Sequence, residues 1–284
     1  MKLESLAEKT RSLLPVLACP LCGTAFSLNP SHSLICENRH CYDLSRKGYA
    51  NLAPSHIQEA DTYNAQLFDC RRQIFETGFY APVMTAIGDI IAAHTTEDEP
   101  FTLLDAGCGE GSYAHALSAR FPSATIIGLD LNRDAIIAAA RKPGLPHWLV
   151  GNVSRLPVAD GSLDFLLDVL TPADYSAFFR ALTEDGLLLK VIPGKDYLKE
   201  IRAFIRQELR TKEYDNGQVL AHLESHAQII SRKTLLHTYS VTKEQAALFV
   251  RMTPMTLGLS PEILENICFS QITLHLELVV CQRK

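Results

Sequence analysis

Two groups of residues in this chain have types and spacings suited to chemistry. The first begins at Cys19-Pro20-Leu21-Cys22-Gly23 and resumes, with thirteen residues between Cys22 and Cys36, at Cys36-Glu37-Asn38-Arg39-His40-Cys41. A Cys-Pro-x-Cys-Gly turn makes a tight knuckle whose backbone N–H groups can face thiolates. Two knuckles on a hairpin give a tetrahedral site for a d¹⁰ cation, and sulfur with imidazole selects zinc. Cys19, Cys22 and Cys36 are three expected ligands. His40 and Cys41 are adjacent candidates for the fourth, and His32 is a distant third. The competing reading is a set of free buried cysteines. A module this small has little core, so its folding should depend on the metal.

The second group is Asp105-Ala106-Gly107-Cys108-Gly109-Glu110-Gly111. The apolar run Phe101 to Leu104 before it suits a buried parallel strand, and a helix is expected from Ser112. Glycine lets a backbone take positive φ and lets a ligand lie directly on it. The helix start offers free N–H groups. The loop is thus shaped to hold a nucleotide-like ligand at a sheet edge. A dinucleotide loop would read G-x-G-x-x-G, whereas this one reads G-x-G-x-G. Thr125 to Asp130 is a second expected strand, ending in an acid placed to accept hydrogen bonds from a ribose diol. The bland alternative is any strand–glycine–helix turn.

The surrounding pattern supplies the elements that must position these groups. Residues 3–14 suit a short amphipathic helix. Tyr42 to Leu52 alternates loosely and mixes basic with aromatic residues, as the rest of the ribbon or as an RNA-facing surface. Pro54 to Thr62 reads as a linker. Tyr63 to His94 is helical in pattern, broken at Gly78 to Pro82, with Pro82 in the first turn of a second helix. Helices are expected at 112–120 and 133–142, and strands at 147–151, 163–169 and 186–192. Residues 195–212 form an amphipathic helix, with Leu198, Ile201, Ile205 and Leu209 facing the core. Lys195, Lys199, Arg202, Arg206 and Arg210 make a basic stripe on it, either a solvated face or a phosphate contact. Helices near 217–230, 243–252 and 261–267 and strands at 235–242 and 271–282 complete the chain.

With 284 residues the chain has room for one large domain and one small one. The net charge of −5 argues against a protein coated in basic residues but leaves room for a local nucleic-acid patch. No run approaches a transmembrane span, and the first residues lack a signal-peptide pattern, so a cytoplasmic protein is expected. Its eight cysteines then suit metal better than a disulfide framework.

Asp-x-Gly-Cys-Gly-x-Gly resembles motif I of the class I S-adenosylmethionine-dependent methyltransferases, in which the loop passes under the methionine part of the cofactor. Further motifs sharpen the resemblance: Cys-Pro-Leu-Cys, Cys-x3-His, Lys-Gly-Tyr-x-Asn-Leu at 47–52 and Arg-Arg-x5-Gly-x-Tyr at 71–80. With Arg155-Leu156-Pro157 and Met252-Thr253-Pro254, these resemble the 23S ribosomal RNA (guanine-N1)-methyltransferases of the RlmA type across nearly the whole chain. The resemblance implies an α/β fold, a Rossmann-like sheet with helices on both faces, plus an N-terminal zinc ribbon. The expected division is 1–57 for the zinc module, 58–98 for a helical linker contributing to the cofactor site, and 99–284 for the methyltransferase domain. The resemblance favours His40 as the fourth zinc ligand and makes Tyr80 a cofactor contact. The other expected cofactor contacts are Asp105, Gly107, Cys108, Gly109, Glu110, Gly111, Asp130, Asn152 and Tyr197. Asn152 departs from the Asp that many class I enzymes place there, and some relatives carry His at Tyr197.

The implied reaction moves a methyl group from a sulfonium carbon to N1 of a guanine in a hairpin loop of 23S ribosomal RNA. Zinc and S-adenosylmethionine are the implied cofactors, with the zinc module helping to hold the RNA. The family also implies a homodimer. Asp168 and Asp174 are acids near the expected acceptor side, yet each also suits a strand end or a helix cap, so no general base is named. Two alternatives are a methyltransferase acting on a small molecule and a non-catalytic RNA-binding protein with a methyltransferase fold. A small-molecule enzyme has no reason to carry a four-ligand zinc module, and the intact Asp105, glycine loop and Asp130 argue against a non-catalytic protein.

Overall fold

The computed structural model describes residues 3–53, 65–96, 99–144, 146–209 and 216–284. Helix α1 (Leu3–Arg11) buries Leu6 and Ala7. Four short strands follow: β1 (Phe26–Leu28), β2 (Ser33–Cys36), β3 (Cys41–Ser45) and β4 (Tyr49–Asn51). They pair antiparallel in sequence order. The expected linker, Pro54 to Thr62, lies outside the described residues. Helices α2 (Ala65–Glu76) and α3 (Ala81–Ala93) come next, separated by a turn at Gly78 with φ +83°. Pro82 sits in the first turn of α3, where its missing N–H costs nothing.

The chain then alternates strand and helix: β5 (Thr102–Ala106), α4 (Ser112–Arg120), β6 (Thr125–Asp130), α5 (Arg133–Arg141) and β7 (His147–Val150). It continues with β8 (Leu163–Val169), α6 (Tyr175–Ala181) and β9 (Leu182–Pro193). The last part is α7 (Lys199–Leu209), α8 (Gly217–His226), β10 (Ala227–Ser240), α9 (Lys243–Met252), α10 (Pro261–Asn266) and β11 (Gln271–Arg283).

The described strands form one eleven-stranded sheet in the order β1-β2-β3-β4-β7-β6-β5-β8-β9-β11-β10. Strands β7, β6, β5, β8 and β9 are parallel, and β11 runs antiparallel between β9 and β10. This is the Rossmann-like methyltransferase sheet. Chain order reverses between β5 and β8, so a crevice opens at their C-terminal ends. One face carries Leu103, Phe165 and Leu189 against α3 and α4, and the other carries Leu104, Leu166 and Leu188 against α6. The expectation of helices on both faces is met.

The ribbon does not stand apart from this sheet. Strand β4 pairs in parallel with β7, with Ala50 opposite Leu149 and Asn51 opposite Val150. Leu17 makes a bridge to Val158. Arg133 at the start of α5 donates from Nε to the Tyr49 hydroxyl at 2.8 Å.

Several element boundaries differ from the sequence reading; β9, for one, starts at Leu182 rather than 186. Helix α7 starts at Lys199, because residues 195–198 form a turn in which Leu198 takes φ +51°. Arg210 falls outside the described residues. Helix α8 stops at His226, and residues 227–234, part of them expected as helix, extend β10. The thirteen-residue strand β11 would otherwise leave a row of backbone groups unpaired. Ser231, Arg232, Lys233 and Thr234 are exposed and polar, as a covering edge strand requires.

Candidate active site and metal centre

The Cys-Pro-x-Cys-Gly turn and the β2–β3 connection bring four donors together. The ligand atoms of Cys19, Cys22, Cys36 and His40 all lie within 4.8 Å of one another. His40 Nδ1 is 3.5 Å from Cys19 Sγ and 3.4 Å from Cys36 Sγ, and Cys22 Sγ is 3.7 Å from Cys36 Sγ. Cys41 is exposed at the start of β3, outside this group. Hydrogen bonds from the Thr24 hydroxyl and amide pull the Cys22 thiol down to about 5, so it is a thiolate at neutral pH. Cys22 and Cys36 raise His40 in turn. Three sulfurs and one imidazole in a compact group are the donor set of a closed structural zinc site, and zinc is one cofactor of this chain.

The crevice between β5 and β8 opens into a cavity of about 1020 Å³. Ligand pockets usually run from about 300 to 1,000 Å³, so this one has room for a nucleoside cofactor and an acceptor base. Its floor is the loop after β5. Gly107, Gly109 and Gly111 all have positive φ, at +73°, +56° and +78°. A Cβ at Gly107 would stand 2.4 Å from Thr171, and one at Gly111 would stand 2.4 Å from the Trp148 ring. The amides of Gly107 and Cys108 both donate to Leu129 O, which ties the loop to β6.

Of the expected contacts, Tyr80, Asp105, Gly107, Cys108, Gly109, Glu110 and Tyr197 stand on the cavity wall. Gly111, Asp130 and Asn152 stand beside it rather than on it. Asp130 accepts from the Gly109 amide and the Asn132 amide, both at 2.8 Å. Asn152 accepts from the Ser154 amide at 2.9 Å. Tyr80, at the α2–α3 turn, and Tyr197, in the β9–α7 turn, share a buried hydroxyl contact of 2.8 Å. They close one side of the cavity.

Sequence reasoning did not place Arg71, Phe75 or Tyr113 at the cofactor cavity, which all three line. Phe75 and Tyr113 rings meet edge to face at 5.3 Å, and both are within 6.3 Å of Tyr80. The Arg-Arg-x5-Gly-x-Tyr motif pointed at Arg71 but not at its place. Phe75 had the spacing of an ordinary core residue. Tyr113 followed the glycine loop directly, which was the available signal.

The buried polar groups test the fit of S-adenosylmethionine. Asp105 Oδ2 and the Tyr113 hydroxyl are buried with no partner among the described residues. Burial pushes the Asp105 carboxyl well above the usual carboxylate range, and Glu110, Asp130 and Asp168 add to it. Burial likewise raises Glu110. Acids held in this way, beside aromatic faces, call for a cation. A cofactor bearing an ammonium and a sulfonium answers that need.

The candidate acids take different places. Asp174 caps α6, accepting from the Ala177 amide at 3.0 Å. Asp168 is fully buried and pairs with Lys190, Oδ2 to Nζ 2.6 Å. Burial raises Asp168 to about 6, against the pull of Lys190. The basic stripe reaches the cavity: Lys195, Lys199, Arg202 and Arg206 are on its wall.

Fold, glycine loop and cation-seeking floor define a class I S-adenosylmethionine-dependent methyltransferase. Comparison with known proteins agrees and narrows it. Residues 103–186 match the methyltransferase domain model, and residues 17–60 match the zinc-ribbon model of the RlmA N-terminal region. A Bacillus subtilis (strain 168) protein, YxjB, named as a 23S rRNA (guanine-N(1)-)-methyltransferase, is 32% identical over 270 residues. That match covers 92% of this chain and 95% of YxjB. The 23S rRNA (guanine(748)-N(1))-methyltransferase of Streptomyces fradiae is 26% identical, over 96% of this chain and 98% of its own. A malonyl-[acyl-carrier protein] O-methyltransferase of Laribacter hongkongensis (strain HLHK9) is 36% identical, but over only 36% of this chain and 41% of its own. The chain belongs to the 23S rRNA (guanine-N1)-methyltransferase family.

Proposed function

We propose that this enzyme methylates N1 of a guanine in a hairpin loop of 23S ribosomal RNA, with the zinc module helping to hold the RNA. The observation that carries the reading is coverage. Relatives named for rRNA guanine-N1 methylation match ribbon and catalytic domain together, whereas the carrier-protein methyltransferase matches only about a third of the chain. The cavity supports it, since its rim holds Lys195, Lys199, Arg202 and Arg206 on a chain of net charge −5. Phosphates are what such a rim recognises.

The residues divide the work as follows. S-adenosylmethionine supplies a methyl group on a positively charged sulfur. Asp105 and Glu110 hold its cationic side, the glycine loop takes its backbone contact, and Asp130 and Asn152 accept from its ribose and adenine. Tyr80, Tyr113 and Tyr197 exclude water from the reacting side. Leu170 to Pro172, after β8, face the acceptor. Cys19, Cys22, Cys36 and His40 bind zinc and so hold the ribbon on the edge of the sheet. No helix among the described residues is long and apolar enough to cross a membrane. The substrate puts the enzyme in the cytoplasm, and the family resemblance implies a homodimer.

The test uses purified zinc-loaded protein, labelled S-adenosylmethionine and a hairpin transcript from 23S rRNA, followed by nucleoside mass spectrometry. The expected product is 1-methylguanosine. Label found only in small-molecule acceptors, or no transfer at all, would overturn the reading.

A further inference from the structure

Beyond the glycine loop, the cavity wall includes Leu170, Thr171, Ile192 and Val219. Leu170 and Val219 are each 38% exposed, unusual for large apolar side chains. Leu170 also takes φ +56°, a left-handed conformation that is costly for a branched side chain. Its amide donates to Val191 O at 3.0 Å, which fixes that geometry. Both side chains offer apolar surface to a flat ring entering the cavity.

The same wall holds a buried cation. Lys190 is only 3% exposed and is on the cavity wall. Its Nζ donates to Asp168 Oδ2 at 2.6 Å and to Thr171 O at 2.7 Å. An ammonium has three donors, and no third acceptor is found for this one among the described residues. Asp105 and Tyr175 both feel the Asp168 charge. Stability does not explain the pair, because a buried ion pair is often no better than an apolar replacement.

We propose that Lys190 is a catalytic residue whose third N–H binds O6 of the target guanine while N1 gives up its proton. This rests on the guanine-N1 reading above. In neutral guanine the N1 lone pair is delocalised, and proton loss spreads negative charge over N1 and O6. A cation fixed beside O6 stabilises that charge as it develops. Asp168 and Thr171 hold Lys190 in place beforehand, and the apolar wall of the cavity takes the ring. N1 forms its bond to the methyl carbon as the carbon–sulfur bond breaks. The sulfur keeps that electron pair, and the N1 proton passes to water at the cavity mouth. Adenine offers an amino group where guanine has O6, so the same ammonium discriminates against it.

The test compares wild type with Lys190→Met/Asp168→Leu, which removes both charges and leaves neither buried alone. Single-turnover transfer to the hairpin transcript is followed from neutral to alkaline pH, alongside thermal melting and S-adenosylhomocysteine binding by calorimetry. The double variant should melt and bind cofactor like wild type. Its transfer should fall roughly tenfold to hundredfold at neutral pH, as for loss of one charged hydrogen bond. Its rise in rate with pH should move up by about one to two units. Lys190→Arg, which keeps the charge, should restore most of the wild-type profile. If the double variant does not fold, Lys190→Gln/Asp168→Asn carries the same comparison, since it keeps a donor for Thr171 and leaves no charge buried alone. A wild-type rate and pH profile in the charge-free variant would overturn the role of Lys190 while leaving the guanine-N1 reading intact. A wild-type enzyme that forms no 1-methylguanosine overturns both.

Discussion

Chelating the zinc should destabilise the whole chain, not only its first fifty residues. Leu13, Leu17 and Leu52 are at most 1% exposed and share one apolar core with Leu129, Leu149, Leu156 and Val158. Burying each leucine is worth about 1.5–3 kcal/mol, so the three together contribute roughly 5–9 kcal/mol as an upper bound. A whole domain has only about 5–15 kcal/mol of net stability. Losing the ribbon would also strip the β4 pairing from β7 and the Tyr49 hydroxyl from Arg133. The remaining sheet therefore cannot keep its own stability when the ribbon melts. Differential scanning calorimetry with and without a strong chelator should show one transition that moves down as a unit. S-adenosylhomocysteine affinity should fall with it, because β7 leads directly into Asn152. Two separate transitions, with the upper one and cofactor affinity untouched by chelation, would refute this coupling.

Gly111→Ala should cost about 2–5 kcal/mol, about 1–2 for the left-handed backbone and about 1–3 for overpacking against Trp148. Gly161→Ala, at φ +61° with nothing within 4 Å, should pay only the first part, and thermal melts of the two separate the terms. Burial, then Lys9, depresses the His147 imidazole to about 4. The unfolded chain protonates near pH 6.5, so this group's stability is present above that pH and is lost as pH falls towards 4, by up to about 3 kcal/mol. His147→Gln should flatten that part of the acid limb in a pH series of melting temperatures. Reversing Arg202 and Arg206 to Glu should weaken hairpin binding and flatten its salt dependence while cofactor affinity stays unchanged. An unaltered salt slope would remove α7 from the RNA surface.

The parts of the fold legible in the sequence were those with strong local causes. Strands β5, β6 and β8 are short apolar runs ending in turn residues. Helix α4 follows glycines that only one backbone conformation explains. The C-x2-C knuckle was readable because metal geometry ties residue type to spacing. The β10 extension was not readable, since 227–234 becomes a strand only because β11 needs a partner. The β4–β7 pairing has the same character. Nothing in Tyr49-Ala50-Asn51 says that it will join a parallel sheet about a hundred residues further on. Asp168 and Lys190 sit 22 residues apart in two apolar strands; Asp168 stood out only as an acid near the acceptor side, and nothing in the sequence linked it to Lys190. Their pairing follows from the β8–β9 register, where they are direct partners.

Net charge was a poor guide for a related reason: it averages two opposite demands made by one cavity. Its floor collects Asp105 and Glu110 under burial, and those acids favour a cation. Its rim carries Lys195, Lys199, Arg202 and Arg206, and those favour an anion. The two sets act through different media. Rim charges facing solvent are screened over about 8–10 Å at ordinary salt, whereas buried acids feel little of that screening. A cationic cofactor and a polyanionic acceptor can then use the same crevice without competing. On the proposed reading, the cofactor would be held by short contacts that salt barely weakens, and the RNA by contacts that salt readily loosens. That division also suits turnover, because the methylated RNA must leave while the glycine loop stays in place for the next cofactor.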